Sequence, residues 1–150
     1  MNWKRGAVDR GFRILNVVHR GVVRLSGGRV GGSAFGMPVV ELHHVGRRSG
    51  LARTTMLTAP VSDADRFVLV ASKGGDARDP EWFRNVVAHP EIEMTVHGQR
   101  RMMRARVASV EERSELWPQV ISAYRPYASY RKRTTRDIPM VICEPRAPGA

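Results

Sequence analysis

Residues 92–107 alternate in polarity with a period of two. Ile92, Met94 and Val96 interleave with Glu93, Thr95 and His97, and Met103, Ala105 and Val107 interleave with Arg104 and Arg106. Successive side chains of a strand point to opposite faces, so this pattern requires two half-buried strands. Gly98-Gln99 between them reads as the hairpin turn. Residues 38–45 and 54–61 carry further strand signals, 63–65 make a turn, and 67–71 form a continuous apolar run typical of a buried strand. The apolar run 138–143 supplies the last strand.

Two helices interrupt these strands. Asp79-Pro80-Glu81 has the order N-cap, first position, acidic first turn, so a helix is expected from there to about His89. Ser109 and Glu112 have capping-box spacing. Leu116, Trp117, Val120, Ile121 and Tyr124 then share one apolar face, and Pro118 is expected to kink or split that helix. Many short strands with few helices indicate a mainly β (α+β) chain, an antiparallel barrel or sandwich rather than a Rossmann sheet. Ahead of this, residues 7–25 read as an amphipathic helix, with Val8, Phe12, Leu15, Val18, Val22 and Leu25 at steps of three or four. That helix either packs on the domain or lies on an anionic membrane surface. Residues 27–36 are glycine-rich and read as a flexible linker, which divides the chain into 1–36 and a main domain at 37–150.

Composition narrows the function classes. The 25 Lys and Arg against 14 Asp and Glu give a net charge of +11, concentrated ahead of residue 54. Such a surface suits nucleic acid, an anionic membrane or an anionic small molecule. No recognition-helix or RNA-binding signature supports nucleic acid. Cys143 is the single cysteine, so an internal disulfide is impossible and a cysteine-based zinc site is excluded. It reads as a small buried hydrophobe. His43 and His44 point to opposite strand faces, and His19, His89 and His97 have no ligand spacing with them, so no metal is expected. A reducing cytoplasm fits this cysteine usage, and no signal peptide or apolar run of about 18 residues is seen.

Three stretches carry chemistry. Gly46-Arg47-Arg48-Ser49-Gly50-Leu51-Ala52-Arg53 joins two strands and concentrates forked donors matched to phosphate or carboxylate. Taken alone it is equally a solvated basic hairpin. Ser72-Lys73-Gly74-Gly75 follows a buried strand and leads into a helix where Trp82 and Asn85 share a face. Trp82 offers an apolar wall and Asn85 a donor and an acceptor, as an aromatic-ligand pocket needs, although a core tryptophan fits as well. All 3 tyrosines, Tyr124, Tyr127 and Tyr130, fall in one short segment, with Tyr127 and Tyr130 on one helical face. Phenols there could orient an acceptor carbonyl or nitro group, or simply cap the barrel.

In this order these motifs resemble the deazaflavin (coenzyme F-420)-dependent nitroreductase and quinone reductase family. The matching elements are the GRRSG loop with Arg53, the strand ending ASKGG, the DPEWFRN helix start, AHPEIEM, YRPYASY and IPMVICEP, spanning residues 40–145. The resemblance implies a split β-barrel that binds the deazaflavin in a groove and passes its hydride to a quinone-like or nitro acceptor. Carried over by motif, Arg47, Arg48, Ser49 and Arg53 would hold the phosphate and acidic tail. Thr54, Met56, Leu57 and Thr58 would border the groove, and Val70, Ala71, Ser72 and Lys73 would run beside the ring. Trp82 and Asn85 would close the opposite wall, and the tyrosines, Tyr130 foremost, would face the acceptor. Independently, a phosphodiester with a polyglutamate tail calls for several arginines and a lysine around a glycine-rich cradle, more than flavin mononucleotide needs. Thr58, Glu81 and the His43-His44 pair depart from the family pattern and leave the acceptor open. Competing readings are a non-catalytic coenzyme-binding or membrane-docking protein of this fold, with contact through residues 1–25, and a flavin mononucleotide oxidoreductase. Oligomeric state is not legible.

Overall fold

A computed structural model describes residues 33–146. The expected helix at 7–25, its membrane contact, and most of the expected linker lie outside the described residues. The last part of that linker is not a linker. Ser33–Ala34 (β1) pairs antiparallel with Met37–Val45 (β2), and Phe35 and Gly36 form the two-residue turn between them. Both turn residues have positive φ, 54° and 79°, which matches the twist a tight hairpin needs.

The chain continues through Ala52–Thr58 (β3), Val61–Ser62 (β4), Phe67–Val70 (β5), Glu81–Ala88 (α1), Glu91–Val96 (β6), Gln99–Val107 (β7), Val110–Ala123 (α2), Pro126–Arg133 (α3) and Met140–Pro145 (β8). Among the described residues every strand pairing is antiparallel. Hydrogen-bonded neighbours run β2-β6-β7-β8-β5-β4, with β3 on the other side of β2. The two ends of this path, β3 and β4, are separated in sequence by only Ala59 and Pro60. A sheet whose opposite edges are tied by two residues must curl back on itself, which produces the expected split barrel.

Local chemistry explains most element boundaries. The expected strand 54–61 is interrupted at Ala59-Pro60: Ala59 N still donates to Pro38 O at 3.0 Å, in register with the β2–β3 ladder, and the chain then passes into β4. The β6–β7 turn is His97-Gly98, one residue earlier than expected, with φ of 50° and 77°. The last strand begins at Met140, two residues later than expected. Ser109 and Glu112 form the full capping box. Pro118 does not split α2: it lies on the solvent face, where water can satisfy the carbonyl it leaves unpaired.

Two apolar clusters flank the sheet. Leu42, Leu69, Met94, Met103, Val141 and Cys143 belong to one, inside the curl. Val68, Val70, Met140 and Ile142 join Leu116, Trp117, Val120 and Tyr127 in the other, under α2 and α3. Adjacent residues of β5 and β8 therefore serve opposite clusters, so both strands read as unbroken apolar runs. Cys143 is fully buried, and burial pushes its thiol up to about 12, as an inert core residue.

Candidate active site

A cavity of about 1050 Å³ opens beside β3. Residues 53–58 line it without a gap, although successive strand side chains face opposite ways. Only a strand seen edge-on can do this. Among the described strands β3 pairs with β2 alone, so its other edge faces the cavity with no further strand beside it.

At one end lies the arginine loop. Gly46 N donates to Leu51 O and Gly50 N to Gly46 O, both at 2.8 Å, and Ser49 Oγ accepts from Leu51 N at 3.2 Å. The three arginines have different situations. Arg47 is half-buried and committed to α1: its backbone N and its Nη1 donate to Asn85 Oδ1 at 3.1 and 3.0 Å, and Nη1 also donates to Glu81 Oε2 at 2.7 Å. That contact holds the Glu81 carboxyl below its usual range. Arg48 and Arg53 are exposed, line the cavity, and have no carboxylate partner among the described residues.

His44 reaches the same cavity and was not anticipated as a site residue. Asn85, its carbonyl taken by Arg47, donates through Nδ2 to His44 Nδ1 at 3.2 Å. The His44 proton therefore sits on Nε2 and donates to Thr55 Oγ1 at 3.0 Å. Burial first, then the charges of Arg53 and His43, pull this imidazole down to about 4, so it is neutral. The inward half of the alternation Val40, Leu42, His44 was the available signal. His43 faces the other way, to Thr54 and Thr95. No metal-ligating cluster occurs among the described residues.

Along the middle of the cavity, Met56, Val70, Ser72, Lys73, Trp82 and Asn85 all contribute to the lining as expected. Ala71 does not. It is fully buried in the inner core, on the opposite side of the chain from Val70, the last residue of β5. Lys73, Gly74 and Gly75 have φ of 46°, 63° and 85°, three consecutive left-handed residues. Gly75 is required there: a Cβ would lie 2.7 Å from Arg133 Cβ and 2.8 Å from Tyr130 O. Asp79 is not the expected cap. Helix α1 starts one residue later, with Pro80 at the cap position, and the Asp79 carboxylate meets Arg136 at 3.0 Å.

The other end is aromatic. Tyr124, Tyr127 and Tyr130 line it as an edge-to-face series, with centroids 5.6 and 5.7 Å apart. Burial raises both Tyr127 and Tyr130, so they stay protonated phenols. Phe35, from the β1–β2 turn, is 76% exposed and sets its ring 5.1 Å from that of Tyr124. Sequence reasoning missed it because its position fell in the supposed linker.

The sequence profile of the F-420H(2)-dependent quinone reductase family matches residues 16–145. The chain belongs to this family. It is accordingly an oxidoreductase, and its cofactor is coenzyme F-420. A family relative, the F-420H(2)-dependent quinone reductase Rv1261c of Mycobacterium tuberculosis, is 34% identical over 137 residues, covering 88% of this chain and 90% of that protein. A solved structure of an F420-H2 dependent reductase is 36% identical, with a TM-score of 0.65 over 71% of this chain and 94% of that one. Another, of a domain-swapped dimer, is 32% identical, with a TM-score of 0.67 over 95% and 98%. The residues present suit the family's cofactor: two exposed cations without carboxylate partners at one end answer its anionic tail, and an apolar wall with an open strand edge answers a flat heterocycle.

Proposed function

We propose that this chain transfers a hydride from reduced coenzyme F-420 to a quinone-like or nitro acceptor within the one cavity. The observation that carries the reading is the continuity of that cavity, from Arg48 and Arg53 at one end to the tyrosines at the other. The bound coenzyme supplies the hydride, and the protein supplies position and electrostatics.

Arg48, Arg53 and Lys73 would hold the phosphate and acidic tail through charge-assisted hydrogen bonds. Arg47 serves differently from its neighbours, since its donors fix the loop to Asn85 and Glu81. The β3 edge, Val70, Ser72 and Trp82 would flank the ring. A hydride arriving at a quinone or nitro group builds negative charge on its oxygen, and a protonated phenol in place stabilises that charge more than the neutral ground state. Tyr130 is the first candidate, because it stands at the far end of the cluster and is less buried than Tyr127. The neutral His44 keeps Asn85 oriented and adds no charge.

The test is to mix the protein with reduced coenzyme and menadione or a nitroaromatic, and follow the return of the oxidised deazaflavin absorbance. Turnover with a quinone supports the reading. Preference for flavin mononucleotide as hydride donor, or coenzyme binding without turnover of any acceptor, overturns it.

A further inference from the structure

Arg136 lies outside every stretch that the sequence marked as functional, and it does not line the cavity. Its guanidinium is spent on one segment of backbone. Nε donates to Asp76 O at 2.9 Å, and Nη2 donates to Ala71 O and Ser72 O, each at 3.0 Å. Nη1 donates to Asp79 Oδ1 at 3.0 Å. All four acceptors fall within residues 71–79, where the chain leaves β5, makes the left-handed Lys73-Gly74-Gly75 turn and approaches α1. The side chain is 16% exposed, so these bonds are largely shielded from water.

The backbone needs such a fastening. A left-handed lysine is unfavourable on its own, and three left-handed residues in succession persist only where surroundings over-determine them. Arg133 Nη1 reaches Gly74 O from the α3 side at 3.3 Å, but Arg136 holds both flanks of the turn at once. Its shape matters. A planar fork with five donors can serve acceptors spread over both flanks, whereas an ammonium is a point with three. Asp79 supplies the counter-charge that lets the guanidinium sit there.

We infer that Arg136 is the positioning residue of the coenzyme-binding turn: it fixes the backbone that presents Lys73 to the cavity, and so sets coenzyme affinity without touching the coenzyme. This rests on the reading that coenzyme F-420 occupies the cavity with Lys73 among its anion-binding groups.

The experiment compares Arg136→Lys, Asp79→Asn and Lys73→Met, together with the Arg136→Lys/Lys73→Met double variant. Coenzyme Kd is read by tryptophan fluorescence, kcat is measured at saturating coenzyme, and hydrogen exchange of residues 71–79 is followed in the apo-protein. Arg136→Lys is expected to raise Kd about tenfold while kcat stays within about twofold, because the loss falls on one charge-assisted contact. Asp79→Asn keeps the bonds to the carbonyls and should act in the same direction, more weakly. In the Lys73→Met background the Arg136→Lys effect should shrink to below about threefold, since coupled residues are non-additive. Exchange at 71–79 should accelerate in Arg136→Lys. An equal Kd penalty in both backgrounds overturns the inference, as does a fall in kcat with unchanged Kd or unaltered exchange at 71–79. If the wild-type protein binds no deazaflavin, the functional reading fails instead, and the exchange data still judge the fastening.

Discussion

Gly75→Ala places a methyl group where α3 already sits. The added Cβ would lie 2.8 Å from Tyr130 O and 2.7 Å from Arg133 Cβ, and the backbone φ is +85°. Two costs follow. A left-handed conformation disfavours any residue with a Cβ by roughly 1–2 kcal/mol. The clash adds to this, because a main-chain oxygen and a Cβ cannot rotate aside, so α3 itself must move; overpacking of this kind costs about 1–3 kcal/mol. Gly50→Ala isolates the first cost, with φ of +69° and nothing within 4 Å of its Cβ. For a chain of this size each kcal/mol lowers Tm by about 2–4 °C. Thermal melts of the apo-proteins should therefore place Gly75→Ala below Gly50→Ala by a further 2–12 °C or so. Because α3 carries Tyr127 and Tyr130, the same variant should raise the KM for a quinone acceptor. Equal melting losses for the two variants would refute the claim that this glycine sets the approach of α3.

Replacing Arg48 or Arg53 with Ala should raise coenzyme Kd about tenfold or more, since a hydrogen bond to a charged group contributes roughly 1.5–3 kcal/mol. The apo-protein Tm should barely change, because exposed charges add little to folding; isothermal titration and a melt check both. Tyr130→Phe should lower kcat with a quinone by roughly 10²-fold at nearly unchanged coenzyme Kd, the usual effect of losing one donor to developing charge, read from steady-state kinetics beside Tyr124→Phe and Tyr127→Phe. His44 makes stability depend on pH. Its folded pKa of about 4 lies below the ordinary 6.5, so the unfolded chain binds the extra proton more readily; its contribution is complete above pH 6.5 and is lost as pH falls towards 4. Denaturant melts should show that slope in the wild type, and a shallower one in His44→Gln.

Strand identity and fold class were legible because the signal is local. The two-residue period of 92–107, the apolar runs of β5 and β8, and the Ser109–Glu112 box depend only on neighbours along the chain. The stretches that line the cavity were legible for a related reason: glycines, clustered arginines and clustered tyrosines stand out by residue type. Errors fell where geometry depends on a distant residue. Asp79 has the composition of a helix cap, yet Arg136 claims its carboxylate from 57 positions away.

The amino-acid sequence by itself determined that this chain would build an antiparallel β domain with an arginine-rich loop, a glycine turn and a tyrosine cluster, since periodicity and residue type express those features locally. Only the tertiary structure decided how three arginines of one loop divide their work. Asn85 and Glu81, reached by folding α1 against the loop, take Arg47 and leave Arg48 and Arg53 to the cavity. It likewise decided that His44 is neutral, that Phe35 meets Tyr124, and that Arg136 fastens the Lys73 turn. Each of these depends on a contact between residues far apart in the chain, and no local pattern encodes a distance that only the folded sheet creates.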